Sequence, residues 1–232
     1  MHHSAFQTCT AGDRMERHRH RDAYAAVVLA GGYVEAGDRG RFHARPGQVL
    51  IHGSWESHMD AFSGAGARVL NLPLTAEIGF GVGVVADPDA VARAAERDLA
   101  EAEAQLRGTI QPLDAALDDW PDALAEALRR DQGLALEGWA EAAGLTPATV
   151  SRGFRQAFGT SPRRYRAEQR ALKAAAAILR HDETLAALAA GLGFVDQAHM
   201  TRAVAALTGA APGRLRSSRY NPARTPAARQ VA

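Results

Sequence analysis

An internal duplication in the second half of the chain is the strongest constraint on the fold. Residues 151–166 read SRGFRQAFGTSPRRYR, and residues 201–216 read TRAVAALTGAAPGRLR. The similarity extends upstream, where LEGWAEAAGL at 136–145 corresponds to LAALAAGLGF at 185–194. Each copy predicts a helix with an apolar stripe, a glycine turn and a second helix. The sequence therefore predicts two helix-turn-helix units.

The residues around each turn fit this interpretation. Gly144 and Gly193 can adopt the positive φ of a sharp turn. Ala140 and Ala189 are small enough for two helices to approach closely. A helical hairpin with a solvated outer face is the alternative for either copy alone, but two copies in tandem favour recognition of DNA.

Each second helix presents the residue types that contact base edges and phosphates. The candidates are Thr149, Ser151, Arg152 and Arg155 in the first copy and Gln197, His199, Thr201 and Arg202 in the second. Between the copies, the sequence predicts one helix from Pro162 to Arg180, about 28 Å long at ~1.5 Å per residue. Successive major grooves lie about 34 Å apart on one side of B-DNA. We therefore expect one recognition helix in each groove.

Charge is divided unequally along the chain. Residues 1–133 contain 13 Lys and Arg against 20 Asp and Glu, whereas residues 134–220 contain 12 against 6. The net charges of these two parts are −7 and +6. The positive part coincides with the duplication, which is expected if only that part binds a polyanion. A basic face that is merely solvated is the alternative explanation of this charge.

Residues 134–216 resemble the DNA-binding domain of AraC/XylS-type transcription regulators. The resemblance rests on the GF turn at Gly193–Phe194 and on the two GxxP elements, Gly159–Pro162 and Gly209–Pro212. It implies double-stranded promoter DNA and RNA polymerase as partners, with a small molecule or metal ion as effector. Where the family has basic and aromatic residues in its last recognition helix, this chain has AVAALTG. We therefore expect the second unit to bind DNA more weakly than the first.

The first half of the chain contains short β-type runs broken by Gly, Pro and Asp, which predict a small antiparallel barrel or jelly roll. The spacing of its glycines and histidines resembles the two motifs of the cupin family. The residues concerned are Gly12, His18, His20 and Gly31 for the first motif, in which Tyr24 stands at the position of the glutamate. For the second motif they are Gly47 and His58, whereas Gly53 and Trp55 occupy its usual Pro and Gly positions. AraC-type regulators often have such a barrel as a sensor.

Two kinds of ligand are open for this barrel, and a solvated strand RHRHR at 17–21 without a function is the alternative to both. His18, His20 and His58 are candidate ligands of a divalent metal, zinc or iron. Tyr24 replaces the glutamate that the cupin motif uses for metal, which favours instead an organic ligand held among Tyr24, His52 and Trp55. A metal-dependent cupin enzyme fused to a DNA-binding domain is the alternative function, although no second acid–base constellation accompanies the histidines.

The connection between the halves predicts helices. An apolar stripe follows Asp87–Pro88, and it either packs on the barrel or forms the contact of a homodimer. Its residues are Val91, Ala95, Leu99, Ala102 and Leu106. A second helix is predicted in DDWPDALAEALRRD, and residues 217–232 are expected to be disordered.

The predicted fold class is α+β with two domains. Residues 1–86 form the cupin-like barrel, 87–133 the helical connector, 134–216 the all-α tandem helix-turn-helix domain and 217–232 the tail. Cys9 is the only cysteine, so disulfides within the chain and thiolate zinc sites are excluded. No run of 18 apolar residues and no secretory signal is present, so we expect a cytoplasmic protein without a membrane partner.

Overall fold

The computed structural model describes residues 5–114 and 119–218. These residues divide into two compact units. The sheet unit contains the residues up to 124 together with 148–160, and the helical unit contains 125–147 and 161 onward. This division differs from the predicted domain ranges, because the second helix of the first duplicated copy belongs to the sheet unit.

Eight strands form one antiparallel sheet in the sheet unit. They are β1 Phe6–Cys9, β2 Arg14–Arg19, β3 Tyr24–Gly37, β4 Gly40–Ala44, β5 Gln48–His52, β6 Ser57–Pro73, β7 Val82–Val84 and β8 Gln111–Pro112. The two long strands, β3 and β6, pair with each other over most of their length. The shorter strands flank them: β5 and β1 pair with one part of this ribbon, and β4 and β2 pair with the other.

Glycines bend the long ribbon near its middle. Gly31 in β3 pairs with Ala67 of β6, and the register between the strands shifts on both sides of Gly31. Both Gly31 and its neighbour Gly66 have positive φ, and a Cβ on Gly31 would lie 2.0 Å from the carbonyl oxygen of Gly66. Only glycine therefore permits this close approach.

In the described residues the sheet does not close into a barrel, so of the predicted barrel or jelly roll the antiparallel sheet is confirmed and the closure is not. Its path runs β1-β6-β3-β5-β7-β8, and within residues 5–114 the end strands β1 and β8 do not pair. The physical reason lies in β8, which has only two residues, one of them Pro112 without a backbone N–H to donate. Such a strand cannot form the ladder of hydrogen bonds that closure requires.

The connector forms two helices that pack on the sheet. Helix α1 spans Pro88–Arg97 and α2 spans Leu99–Thr109, with Asp98 ending the first and capping the second. Val91 and Leu106 are buried in a cluster with sheet residues, which stabilises each by about 1.5–3 kcal/mol. The predicted stripe thus packs on its own sheet, the first of the two alternatives, and only Leu99 is exposed, at 41%.

Seven further helices follow. Their bounds are α3 Trp120–Arg130, α4 Leu136–Ala142, α5 Pro147–Phe158, α6 Pro162–Arg180, α7 Leu185–Gly191, α8 Gln197–Thr208 and α9 Pro212–Ser218. The long helix α6 has the predicted bounds, with Ser161 accepting a hydrogen bond from the N–H of Arg164 as its N-cap. Within the helical unit, α7, α8 and α9 pack on α6, which buries Tyr165 and Ile178.

The predicted disordered tail, residues 217–232, differs from expectation at its first two residues. Ser217 and Ser218 complete α9, whereas residues 219–232 lie outside the described part of the chain. None of the helices in the described residues is both long and apolar enough to span a membrane.

Candidate functional site

The second helix-turn-helix unit is built from α7 and α8. Gly193 has φ +70° in the turn, and the N–H of Phe194 donates to the carbonyl of Ala189. Asp196 caps α8 by accepting a hydrogen bond from the N–H of His199 at 2.6 Å. Ala189 is buried, so the predicted role of a small residue at the helix contact agrees with its position.

Helix α8 has one buried and one exposed face. Met200, Val204 and Leu207 are buried, whereas Gln197 and Arg202 are exposed. The other two candidates for DNA contact, Thr201 and His199, are half-buried. The ring of His199 meets Phe194 edge-on, with 5.3 Å between ring centroids.

The turn before α8 contains an exposed residue that the sequence analysis overlooked. Val195 is 89% exposed, which is unusual for a β-branched apolar side chain. Its position directly after the Gly193–Phe194 turn could have been noted from the sequence.

Helix α5 presents the first set of candidate DNA contacts. Val150, Phe154 and Phe158 are buried, and the last two rings stack with centroids 4.7 Å apart. Ser151, Arg152 and Arg155 are exposed and Thr149 is half-buried. Gln156, which was not among the candidates, is exposed as well. The turn before α5 has the same geometry as the turn before α8. Gly144 has φ +67°, and the N–H of Leu145 donates to the carbonyl of Ala140.

The arginines of α6 divide into two groups. Arg163 and Arg164 are exposed, and Arg164 forms an ion pair with Glu168. Arg166 and Arg170 instead donate hydrogen bonds to the backbone carbonyls of Leu134 and Gln132. Those two therefore hold the segment before α4 in place, and the free positive charge of α6 is smaller than the sequence indicates.

A histidine cluster lies in the sheet unit, as the cupin resemblance predicts. His18 on β2 and His58 on β6 are partners in the strand register. The Nε2 atom of His20 lies 2.9 Å from Nε2 of His18 and 3.1 Å from Nε2 of His58. The hydroxyl of Tyr24 lies 3.0 Å from the same His58 nitrogen. Three imidazole nitrogens and one phenol oxygen therefore converge on one point.

The opposite nitrogens of two rings fix their orientation. Nδ1 of His18 is 2.8 Å from the carbonyl oxygen of Glu16, and Nδ1 of His58 is 3.1 Å from the carboxylate of Asp60. These contacts need Nδ1–H as the donor, so each ring has its lone pair on Nε2 when neutral. This is the tautomer that a metal ion requires of both rings.

A buried carboxylate lies behind the cluster. Glu35 is 4% exposed, and its Oε2 is 3.4 Å from both His58 Nδ1 and His52 Nε2. The sequence analysis missed both Glu35 and Asp60. The available signal was a single carboxylate within an otherwise apolar strand, YAAVVLAGGYVEAG.

The surroundings shift the pKa values of these groups in different directions. Burial, together with the charge of His58, lowers the pKa of His20 to about 4 and also lowers that of His18. Burial also disfavours the charged form of His58, but the negative charges of Glu35 and Asp60 outweigh this effect and raise the pKa of His58. Burial would raise the pKa of Glu35, yet His52 and His58 hold it below its usual value.

The cluster lines a cavity of about 70 Å³ between the folded parts of the sheet. Two of the three predicted ligand-pocket residues, Tyr24 and His52, form part of its wall, and their rings stack at 4.4 Å. Trp55 is not among its wall residues in the described chain; it lies in the turn between β5 and β6 with φ +63°. There its backbone N–H donates to the carbonyl of His20.

Comparison with known proteins gives one family match. Residues 139–218 match the family model described as a helix-turn-helix domain, about a third of the chain. The match spans the region from α4 to α9 and includes both duplicated copies. No curated protein matches the chain.

Several solved structures are similar. A transcriptional regulator with an AraC-type DNA-binding domain from Chromobacterium violaceum is 20% identical over 43% of this chain and 90% of its own, with a TM-score of 0.40. The C-terminal domain of AraT, a response regulator from Geobacillus stearothermophilus, is 23% identical over 42% and 84%, with a TM-score of 0.39. ToxT from Vibrio cholerae is 8% identical over 93% and 98%, with a TM-score of 0.42.

Residues 139–218 are therefore similar to a helix-turn-helix domain. Over these residues the chain resembles the helix-turn-helix domains of AraC-type regulators.

Proposed function

We propose that this protein is a transcription regulator that binds a specific site in double-stranded promoter DNA and responds to a ligand in its sheet unit. The main support is the presence of two helix-turn-helix copies in the basic part of the chain, within the AraC-type match. Helices α5 and α8 both have exposed polar faces, to which Arg152 and Arg202 belong. Such side chains bind base edges and phosphates, and RNA polymerase is the expected further partner.

The experiment is selection of bound duplexes from a random pool by the full chain. A regulator of this kind enriches one motif with two half-sites about one helical turn apart, one for each copy. The enriched duplex and a scrambled duplex of the same composition are then compared by fluorescence anisotropy. Equal affinity for both duplexes would refute sequence-specific binding.

For the ligand, we propose a divalent metal ion, zinc or iron, held by His18, His20 and His58 with the hydroxyl of Tyr24 beside them. Three Nε2 atoms converge and two of them are oriented by Nδ1 hydrogen bonds, which is how metal-binding histidines are prepared. The buried carboxylates of Glu35 and Asp60 supply two negative charges, which offset a divalent cation.

The size of the cavity supports an ion over a larger organic ligand. Pockets for drug-sized organic molecules have volumes of about 300–1,000 Å³, whereas this cavity measures about 70 Å³. An ion with one or two waters fits such a space. A bulky organic effector does not fit without movement of the walls.

Elemental analysis of the purified, untagged full chain tests the metal proposal. We expect close to one zinc or iron ion per chain, and its loss in His58→Ala. His43→Ala is the matched control, because His43 lies exposed on the neighbouring strand β4 and its loss leaves the cluster intact. A wild-type protein that stays metal-free after exposure to Zn²⁺ and Fe²⁺ would refute the metal and favour an organic ligand beside Tyr24.

A further inference from the structure

The last residue before the α5–α6 junction lies against the strands that contain the histidine cluster. Gly159 follows α5 and has φ +66°. A Cβ at this position would lie 2.9 Å from Sδ of Met59 on β6 and 3.1 Å from Cβ of Arg17 on β2. All three residues belong to the sheet unit. Helix α5 therefore ends in close contact with two adjacent strands of the sheet.

The two contact residues are the direct neighbours of two metal-ligand candidates. Met59 follows His58 and Arg17 precedes His18, and His18 and His58 are partners in the register of β2 and β6. Successive side chains of a strand point to opposite faces. His18 and His58 line the cavity, whereas Arg17 and Met59 lie against Gly159 at the end of α5.

Arg17, one of the two residues that contact Gly159, is fixed by an ion pair. Its guanidinium forms a buried ion pair with Asp38, with 2.5 Å between Nη2 and Oδ1. The other oxygen of Asp38 accepts the N–H of Ser57 at 2.7 Å, and Ser57 directly precedes His58. A change in the spacing of β2 and β6 at the cluster therefore moves Arg17 with it.

A second contact holds the middle of α5 to the same unit. A Cβ on Gly153 would lie 2.3 Å from Cζ2 of Trp120, so the indole ring lies directly on the helix. Asp119 and Asp122 flank Trp120, and both form ion pairs with Arg41 on β4, at 2.8 and 2.7 Å. These contacts use the glycine side of α5 and leave Arg152 and Arg155 exposed.

We propose that metal occupancy at the histidine cluster sets the position of the DNA-reading helix α5 through Arg17 and Met59. This inference rests on the metal site proposed above and specifies how that site regulates DNA binding. An ion bound to both His18 and His58 fixes β2 against β6, and thereby fixes the surface on which Gly159 lies. The metal-loaded protein then holds α5 more rigidly than the metal-free protein and binds its duplex more tightly.

Hydrogen exchange followed by mass spectrometry on the full chain tests this link, with Zn²⁺ alone as the probe. In the wild type, Zn²⁺ should slow exchange in peptides from 148–160 by about fivefold or more. Peptides from α8 serve as the internal reference. In Met59→Ala, exchange in 148–160 should be faster than in the metal-free wild type and should no longer respond to Zn²⁺, although Zn²⁺ still binds.

Leu29→Ala is the matched control, because Leu29 is a half-buried apolar residue of β3 that packs against the core cluster containing Val91 and Leu106. It should keep the Zn²⁺ response of α5. Met59→Leu has nearly the same volume and gives a second test if Met59→Ala does not fold; it too should weaken the response, because it lacks the sulfur that meets Gly159.

The outcomes separate the two proposals. Failure of the wild type to take up Zn²⁺ would refute the metal site and also overturn the link that rests on it. Uptake of Zn²⁺ without slower exchange in 148–160 would overturn the link and leave the metal site standing. An unchanged Zn²⁺ response in both Met59 variants would overturn the route through Met59.

Discussion

At the level of single residues, the cluster shows what a sequence pattern can and cannot identify. The spacing of His18, His20 and His58 was sufficient to propose that these side chains meet, because they occur in a motif with known strand geometry. Glu35 and Asp60 belong to no motif. Asp60 lies two residues after His58 on the same strand, whereas the pairing of β3 with β6 brings Glu35 behind His58. Such contacts depend on strand register, which a single sequence does not specify.

Asp60 should tune the metal site without touching the ion. Its carboxylate lies 3.1 Å from Nδ1 of His58 and orients the ring. We expect Asp60→Asn to weaken Zn²⁺ binding about 10–100-fold, the usual effect of losing such a partner. Competition with a chromophoric chelator measures this. Asp22→Asn, at a side chain that is 91% exposed, is the control, and equal affinities for the two variants would contradict the role of Asp60.

At the level of elements, the sequence predicted the bounds of a helix well but did not predict whether the sheet closes. The bounds of α6 follow from Ser161, Pro162 and a run of alanines, all of which act within one helix. Closure of the predicted barrel or jelly roll could not be read from the sequence, because it depends on whether the distant strands β1 and β8 meet. The close approach of Gly31 to Gly66 likewise joins residues far apart in the sequence.

The boundary between α1 and α2 depends on one side chain. Asp98 accepts hydrogen bonds from the N–H groups of Ala100 and Glu101, at 2.7 and 3.0 Å. We expect Asp98→Ala to reduce the free energy of unfolding by about 1 kcal/mol, because two N–H groups lose their partner. Urea unfolding of the full chain measures the change. Asp89→Ala, in the exposed first turn of α1, should have a smaller effect; the reverse order would contradict the capping role.

The two recognition helices should contribute unequally to DNA binding. Arg152 on α5 has Arg155 one turn away, whereas Arg202 on α8 is followed by alanines. We expect Arg152→Ala to weaken binding to the selected duplex by about 1–3 kcal/mol, the range for an arginine that reads a base. Arg202→Ala should cost less. Fluorescence anisotropy measures the loss of affinity in both variants, with Arg45→Ala in the sheet unit as control. Equal losses would refute the prediction that the second unit binds DNA more weakly.

At the level of the whole molecule, the charge division between residues 1–133 and 134–220 concentrates the attraction for DNA in one part of the chain. The structure refines this picture, since not every arginine in the basic part is available. Arg166 and Arg170 are half-buried and donate to backbone carbonyls, whereas Arg163 is exposed. The number of phosphates that the protein neutralises is therefore smaller than the number of its arginines.

The salt dependence of DNA binding measures that number. The affinity of the full chain should fall steeply with rising salt, with a slope of about −0.9 per neutralised phosphate in a plot of log K against log salt. If exposed Arg163 contacts a phosphate, Arg163→Ala should reduce the slope by about one. Arg166→Ala is the matched variant from the same helix: it should leave the slope unchanged and instead lower the free energy of unfolding, because the carbonyl of Leu134 loses its donor. A smaller magnitude of the slope in Arg166→Ala than in Arg163→Ala would show that the guanidinium of Arg166 leaves Leu134 to bind DNA. A slope near zero in the wild type would refute the electrostatic contribution altogether.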